Sequence, residues 1–115
     1  MALGEQEGAV LAALADPTRR RVLDLLAAHG EGTATTLAGE LPVSRPAVIK
    51  HLAVLDRAGL VASSRRGREV RYRVRPEPLD ATARWMSDLA SEWDGRLDAL
   101  KRLAEAERGP GGPVA

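Results

Sequence analysis

The chain is 115 residues long, enough for one domain and too short for a second core. It contains no cysteine, which excludes disulfides, thiolate metal sites and a cysteine redox switch. No apolar run approaches the roughly 18 residues of a membrane span, and no basic-then-apolar signal segment opens the chain, so a cytoplasmic protein without membrane contact is expected.

The formal net charge of +1 conceals an uneven distribution. Residues 41–75 carry nine bases against two acids, whereas residues 1–40 and 76–115 each come to −3. Aromatic residues are scarce (Tyr72, Trp85 and Trp93), so Leu, Val, Ala and Ile must build the core. Fifteen of the seventeen bases are Arg, a composition that hints at a GC-rich bacterial genome.

Residues 5–15 have a helical pattern, with Val10, Leu11 and Leu14 on one stripe. Asp16-Pro17 then restarts the chain: Asp is a favoured N-cap and Pro suits the first turn, so a second helix is expected from Pro17 to about Ala28. Val22, Leu23 and Leu26 form its buried face, Leu25 flanks them, and His29-Gly30 ends it. Thr33 caps a short third helix that turns Leu37 and Leu41 inward, and Pro42 closes it. Ser44 caps a fourth helix with Pro46 just inside it. That helix runs to about Ala58, burying Val48, Leu52 and Leu55, with Gly59 as its C-cap.

A strand follows from Leu60-Val61 to about Arg66, Gly67 lies in the turn, and Glu69 to Val74 alternates as a second strand. Val70, Tyr72 and Val74 are expected on one side, Arg71, Arg73 and Arg75 on the other. Pro76 and Pro78 separate this hairpin from a long last helix, roughly Leu79 to Glu107. Trp85, Leu89, Trp93, Leu97, Leu100 and Leu103 recur there every three or four residues as a narrow apolar seam. The glycine- and proline-rich residues 109–115 are expected to be a disordered tail. The expected fold is mainly α with a small β-hairpin, a winged helix-turn-helix ordered as four helices, two strands and a helix. Residues 1–108 form the domain.

The third and fourth helices have helix-turn-helix spacing. The second helix of such a motif enters the major groove with its N-terminal residues toward base edges, so those positions must be small or polar. Ser44, Arg45, Pro46, Ala47, Lys50 and His51 fit. Arg45 and Lys50 can donate to guanine O6 and N7 or to phosphate, and Pro46 and Ala47 can touch a thymine methyl. The helix N-terminus adds partial positive charge toward phosphate. Arg65, Arg66, Arg68 and Arg71 lie at or beside the hairpin tip, where an arm reaches the minor groove or backbone. Charge on an edge strand also blocks aggregation, which accounts for Arg71, Arg73 and Arg75 but not for charges at the tip. Double-stranded DNA is therefore the expected partner.

The last helix presents more apolar surface than a small core can cover, so its seam is expected to meet a second copy. Packing within the chain alone is one alternative for the seam; Trp85 and Trp93 lining a site for a small apolar effector is another, and a different protein docking on the seam is a third. An enzyme is not expected: Ser44 and His51 are seven residues apart on one helix, about 10 Å along its axis, too far for a nucleophile–base pair. With two histidines and no cysteine, neither a metal site nor a cofactor is expected.

These residues resemble the ArsR/SmtB family of bacterial winged-helix repressors. The match runs through Ala-Leu-Ala-Asp-Pro-Thr-Arg-Arg-Arg-Val-Leu-Asp-Leu-Leu (13–26), Leu-Pro-Val-Ser-Arg-Pro-Ala-Val-Ile-Lys-His-Leu (41–52), Leu-Asp-Arg-Ala-Gly-Leu-Val (55–61) and Arg-Arg-Gly-Arg-Glu-Val-Arg-Tyr (65–72). Trp85, Trp93 and Arg96-Leu97 look like the cysteine-free subgroup, whose members are similar to autorepressors. The resemblance implies a homodimer built on the first and last helices, with Val10, Leu14, Trp85, Leu89, Trp93, Leu97 and Leu100 at the interface. It also implies a pseudo-palindromic operator, groove contacts from Ser44, Arg45, Pro46, Lys50 and His51, and wing contacts from Arg66, Arg68 and Arg71. Ile49 departs from the pattern, because relatives commonly carry a polar residue there. It either packs on a thymine methyl or marks a different operator. Metal sensing should not be transferred, since its cysteine pairs and His/Asp clusters have no counterpart here.

Overall fold

A computed structural model describes residues 4–108. Five helices and three strands follow in the order α1 (Glu5–Leu14), α2 (Pro17–His29), β1 (Gly32–Thr33), α3 (Ala34–Glu40), α4 (Arg45–Arg57), β2 (Val61–Arg66), β3 (Glu69–Val74) and α5 (Glu77–Arg108). The described residues divide between Thr82 and Ala83 into a winged body and the helical stretch beyond it. No described helix is long and apolar enough to cross a membrane. The expected tail, residues 109–115, lies outside the described residues.

Short-range polar contacts set the helix ends. The Asp16 carboxylate accepts from the Thr18 amide at 2.7 Å and from the Arg19 amide at 3.1 Å, with Pro17 at the first position of α2. The Arg19 side chain reaches back to the carbonyls of Ala13 (2.8 Å) and Ala12 (3.2 Å), and Arg20 reaches that of Leu14. Two arginines of one helix thus satisfy the open carbonyl end of the previous one. Thr33 and Thr36 form a reciprocal capping box at α3, and the Ser44 hydroxyl accepts from the Ala47 amide at 3.3 Å. Gly59, at φ 76°, ends α4 in the left-handed conformation, and Leu60 N–H then donates to Leu55 carbonyl at 2.9 Å.

The core is aliphatic throughout. Val10, Val22, Leu26, Leu37, Val48, Leu52, Leu55, Leu60 and Val61 are buried, with Ala13, Leu23, Ala34, Leu41 and Ala58 completing the cluster. α4 contributes Val48, Leu52 and Leu55 and packs against α1, α2, α3 and β2. The inward positions named from the sequence in α2, α3 and α4 are these residues.

Two features differ from expectation. The sheet has three strands in the order β1-β3-β2, because Gly32 and Thr33 pair antiparallel with Tyr72 and Arg71. Two residues, the second of them the capping threonine itself, have no periodicity to betray a strand. The last helix begins at Glu77, two residues earlier than Leu79, because Pro78 occupies a first-turn position where no amide donor is required. Thr82, buried in the body, donates its hydroxyl to the Pro78 carbonyl at 2.7 Å.

β2 and β3 pair from Val61↔Val74 to Arg66↔Glu69, leaving a two-residue turn of Gly67 and Arg68. Gly67 has φ 63° and Arg68 is not at positive φ, the pattern of a hairpin turn with glycine first.

Leu52 is fully buried, so Leu52→Ala is expected to lower unfolding free energy by about 2–5 kcal/mol, read from the urea midpoint. The Asp16 carboxyl is held below its ordinary value by the amide hydrogen bond from Arg19 first, and also by that from Thr18. Its capping contribution is therefore present above the ordinary carboxylate pKa and lost as pH falls through the lowered one. Urea melts should show Asp16→Ala less stable than the parent at pH 7, with the gap closing in acid.

Candidate nucleic-acid interface

Burial of Val48, Leu52 and Leu55 turns the opposite face of α4 outward. Arg45, Pro46, Ile49 and Lys50 are exposed, and Ala47 is half-buried. Ile49 is 41% exposed, an unusual place for a large aliphatic side chain with a core within reach. Arg45 is the first residue of the helix, and its Nε donates to Thr35 Oγ1 on α3 at 3.1 Å. The Ser44 hydroxyl is already engaged as the cap of α4. His51 is half-buried and stands three residues after buried Val48 and one before buried Leu52, so it belongs to the flank of the helix rather than its front.

A groove of about 470 Å³ runs between α4 and the wing. Thr35 from α3, Arg45 and Ile49 from α4, and Arg68, Val70 and Tyr72 from the hairpin line it. The register sorts the wing arginines that sequence had grouped. Arg65 stands opposite Val70 and so shares the face of Val70 and Tyr72, whereas Arg66 stands opposite Glu69 on the face that carries Arg71. Arg65, Arg66 and Arg68 are all exposed.

Arg71 is differently placed. Its guanidinium donates to Glu31 at 2.9 Å and to Glu69 at 3.2 Å, and it lines a separate cleft with His29, Glu31 and Glu40. Hydrogen bonding to Glu31 first, then Glu69, raises its already high pKa. The hairpin's one acid and an acid forty residues earlier therefore neutralise this cation. Nothing in the local pattern announces Glu31, and Thr35, ten residues before its partner Arg45, is equally silent.

Along α5, Trp85 and Leu89 are half-buried, whereas Trp93, Leu97, Leu100 and Leu103 are 52–62% exposed. The Arg96 guanidinium lies 5.1 Å from the Trp93 ring centroid and also contacts Glu92 at 3.4 Å. In α1, Leu14 is half-buried, but Val10 is wholly enclosed by the core and has no surface to offer a second copy.

The comparisons agree with this geometry. A family described as "Helix-turn-helix domain" matches residues 14–64. The arsenic resistance transcriptional regulator ArsR1 of Pseudomonas putida is 40% identical over 109 residues, covering 92% of this chain and 84% of its own. The transcriptional repressor SdpR of Bacillus subtilis is 33% identical over 88 residues, covering 76% of this chain and 97% of its own. Among solved structures, an ArsR-like transcriptional regulator from Rhodococcus sp. RHA1 superposes with a TM-score of 0.78 at 45% identity, covering 87% of this chain and 93% of that one. A capped helix with an outward polar face, a basic hairpin beside it and relatives of this kind lead to one assignment: the chain belongs to the ArsR family and is a DNA-binding transcriptional regulator.

Proposed function

We propose that two copies of the chain bind a pseudo-palindromic operator, one half-site each, and repress transcription, the protein's own promoter included. The observation that carries this reading is the exposed front of α4, where Arg45 and Ile49 share a groove with Arg68 of the hairpin, while Lys50, Arg65 and Arg66 are exposed nearby in the chain. α4 supplies base contacts and the hairpin supplies phosphate contacts. The apolar stripe of α5 supports dimerisation: four large side chains more than half exposed at helical spacing are costly in water and favourable against a second copy. Of the two α1 residues, Leu14 keeps some surface that a second copy can meet, whereas Val10 has none. A cytoplasmic location follows from this role.

The arsenic resistance of one relative is not carried over. Thiophilic ions are held by cysteine thiolates, and these 115 residues contain none. Repression without a resident metal or cofactor is the reading retained.

Footprinting on the DNA flanking the protein's own gene tests the proposal. A protected, two-fold related site whose affinity falls steeply with salt is expected, and equal affinity for that DNA and random DNA overturns sequence-specific repression. Arg68→Ala should weaken binding to all sequences alike and reduce the salt slope by about 1. Arg71→Ala should cost clearly less in a titration at the same salt, because Glu31 and Glu69 already compensate its charge. Leu97→Asp on the α5 stripe should turn a dimer into a monomer in sedimentation and lower operator affinity by tenfold or more, on the order of 1.4 kcal/mol.

A further inference from the structure

Arg45 and Thr35 together restrict what the recognition helix can read. A guanidinium has five N–H donors, one on Nε and four on its two terminal nitrogens. The Nε donor of Arg45 is occupied by Thr35 Oγ1 at 3.1 Å. A side-on fork through Nε and one terminal nitrogen is therefore closed, and only the end-on fork through the two terminal nitrogens is left. Two parallel acceptors at the matching spacing are what guanine presents in the major groove, at O6 and N7. Adenine presents one acceptor and one donor there, and would meet a donor with a donor.

Ile49 lies four residues on, one turn further along the same face and on the same groove. It is 41% exposed, makes no part of the buried cluster and has no polar atom to offer. The group in the major groove that rewards such a side chain is the thymine methyl. Four helical residues advance about 6 Å, against roughly 3.4 Å per base step, which places the two contacts one or two steps apart.

Resting on the proposal that α4 reads an operator, we infer that Thr35 is a positioning residue that presents Arg45 end-on to a guanine, and that Ile49 reads a thymine one or two base steps away. Thr35 touches no base in this scheme. It acts by holding the plane of the Arg45 guanidinium, so that less rotamer freedom is lost on binding.

The test is selection from a randomised half-site library, followed by affinity titrations on the enriched site with single base changes. The intact protein should enrich a guanine within two steps of a thymine and prefer that guanine over adenine by about tenfold to a hundredfold. Arg45→Ala should abolish the preference. Thr35→Val should reduce it at least threefold while leaving affinity for random DNA and the salt slope unchanged, and Thr35→Ser should restore it. Thr35 is exposed, so these variants are expected to fold. Ile49→Ser should lose the preference for thymine over uracil at the second position, a readout of the methyl alone. A Thr35→Val protein whose guanine preference stays within twofold of the parent overturns the inference, as does an enriched site with no guanine at the Arg45-dependent position. A parent protein that enriches no sequence at all sinks the operator proposal itself, a distinguishable outcome.

Discussion

Complete burial of Val48, Leu52 and Leu55 sets the rotation of α4, and the interface depends on that rotation. Three side chains at positions i, i+4 and i+7 lock one stripe of the helix against α1, α2, α3 and β2. The opposite stripe is then no longer free to choose: Arg45, Ile49 and Lys50 must face out. Roughly half a turn of misrotation would bury a cation or strand an aliphatic residue, and each error costs more than the surface contacts it would gain. A core of Leu, Val and Ala therefore aims a polar surface without touching it.

Caps make the aim precise along the helix axis. Ser44 spends its hydroxyl on the Ala47 amide, so α4 begins at Arg45 and not a residue later. The same logic joins α1 to α2, where Asp16 caps one helix and Arg19 and Arg20 close the other. These contacts span two to seven residues, so each is set by the local sequence. They convert a run of helical segments into a body with defined corners, on which the third helix is seated at the right distance to put Thr35 against Arg45.

Charge behaves less simply than its sum. The basic middle of the chain attracts DNA as a whole, yet its arginines are not equivalent. Arg66 and Arg68 are exposed, whereas Arg71 is held by Glu31 and Glu69 and braces the third strand against the segment before β1. Exposed pairs of this kind contribute little to stability on their own. Their effect here is on what each cation is available to do: a paired guanidinium adds less to counterion release than a free one. The charge total overstates the footprint.

Much of this was legible in the amino-acid sequence, and the reason is distance along the chain. Asp16-Pro17, Thr33, Ser44 with Pro46, and Gly59 act on neighbours a few residues away, so each announced a helix end correctly. The spacing of Val48, Leu52 and Leu55 told which face was inward. α5 was misjudged by two residues because a proline reads as a break, although its missing amide is harmless in a first turn. Only the tertiary structure decided what spans long separations: β1 pairing with β3, Glu31 engaging Arg71, and Thr35 engaging Arg45. Such contacts carry no period, since their partners are brought together by the packing of whole helices. Sequence determined the elements and their faces; the fold decided which arginines are paired within the protein and which are left exposed.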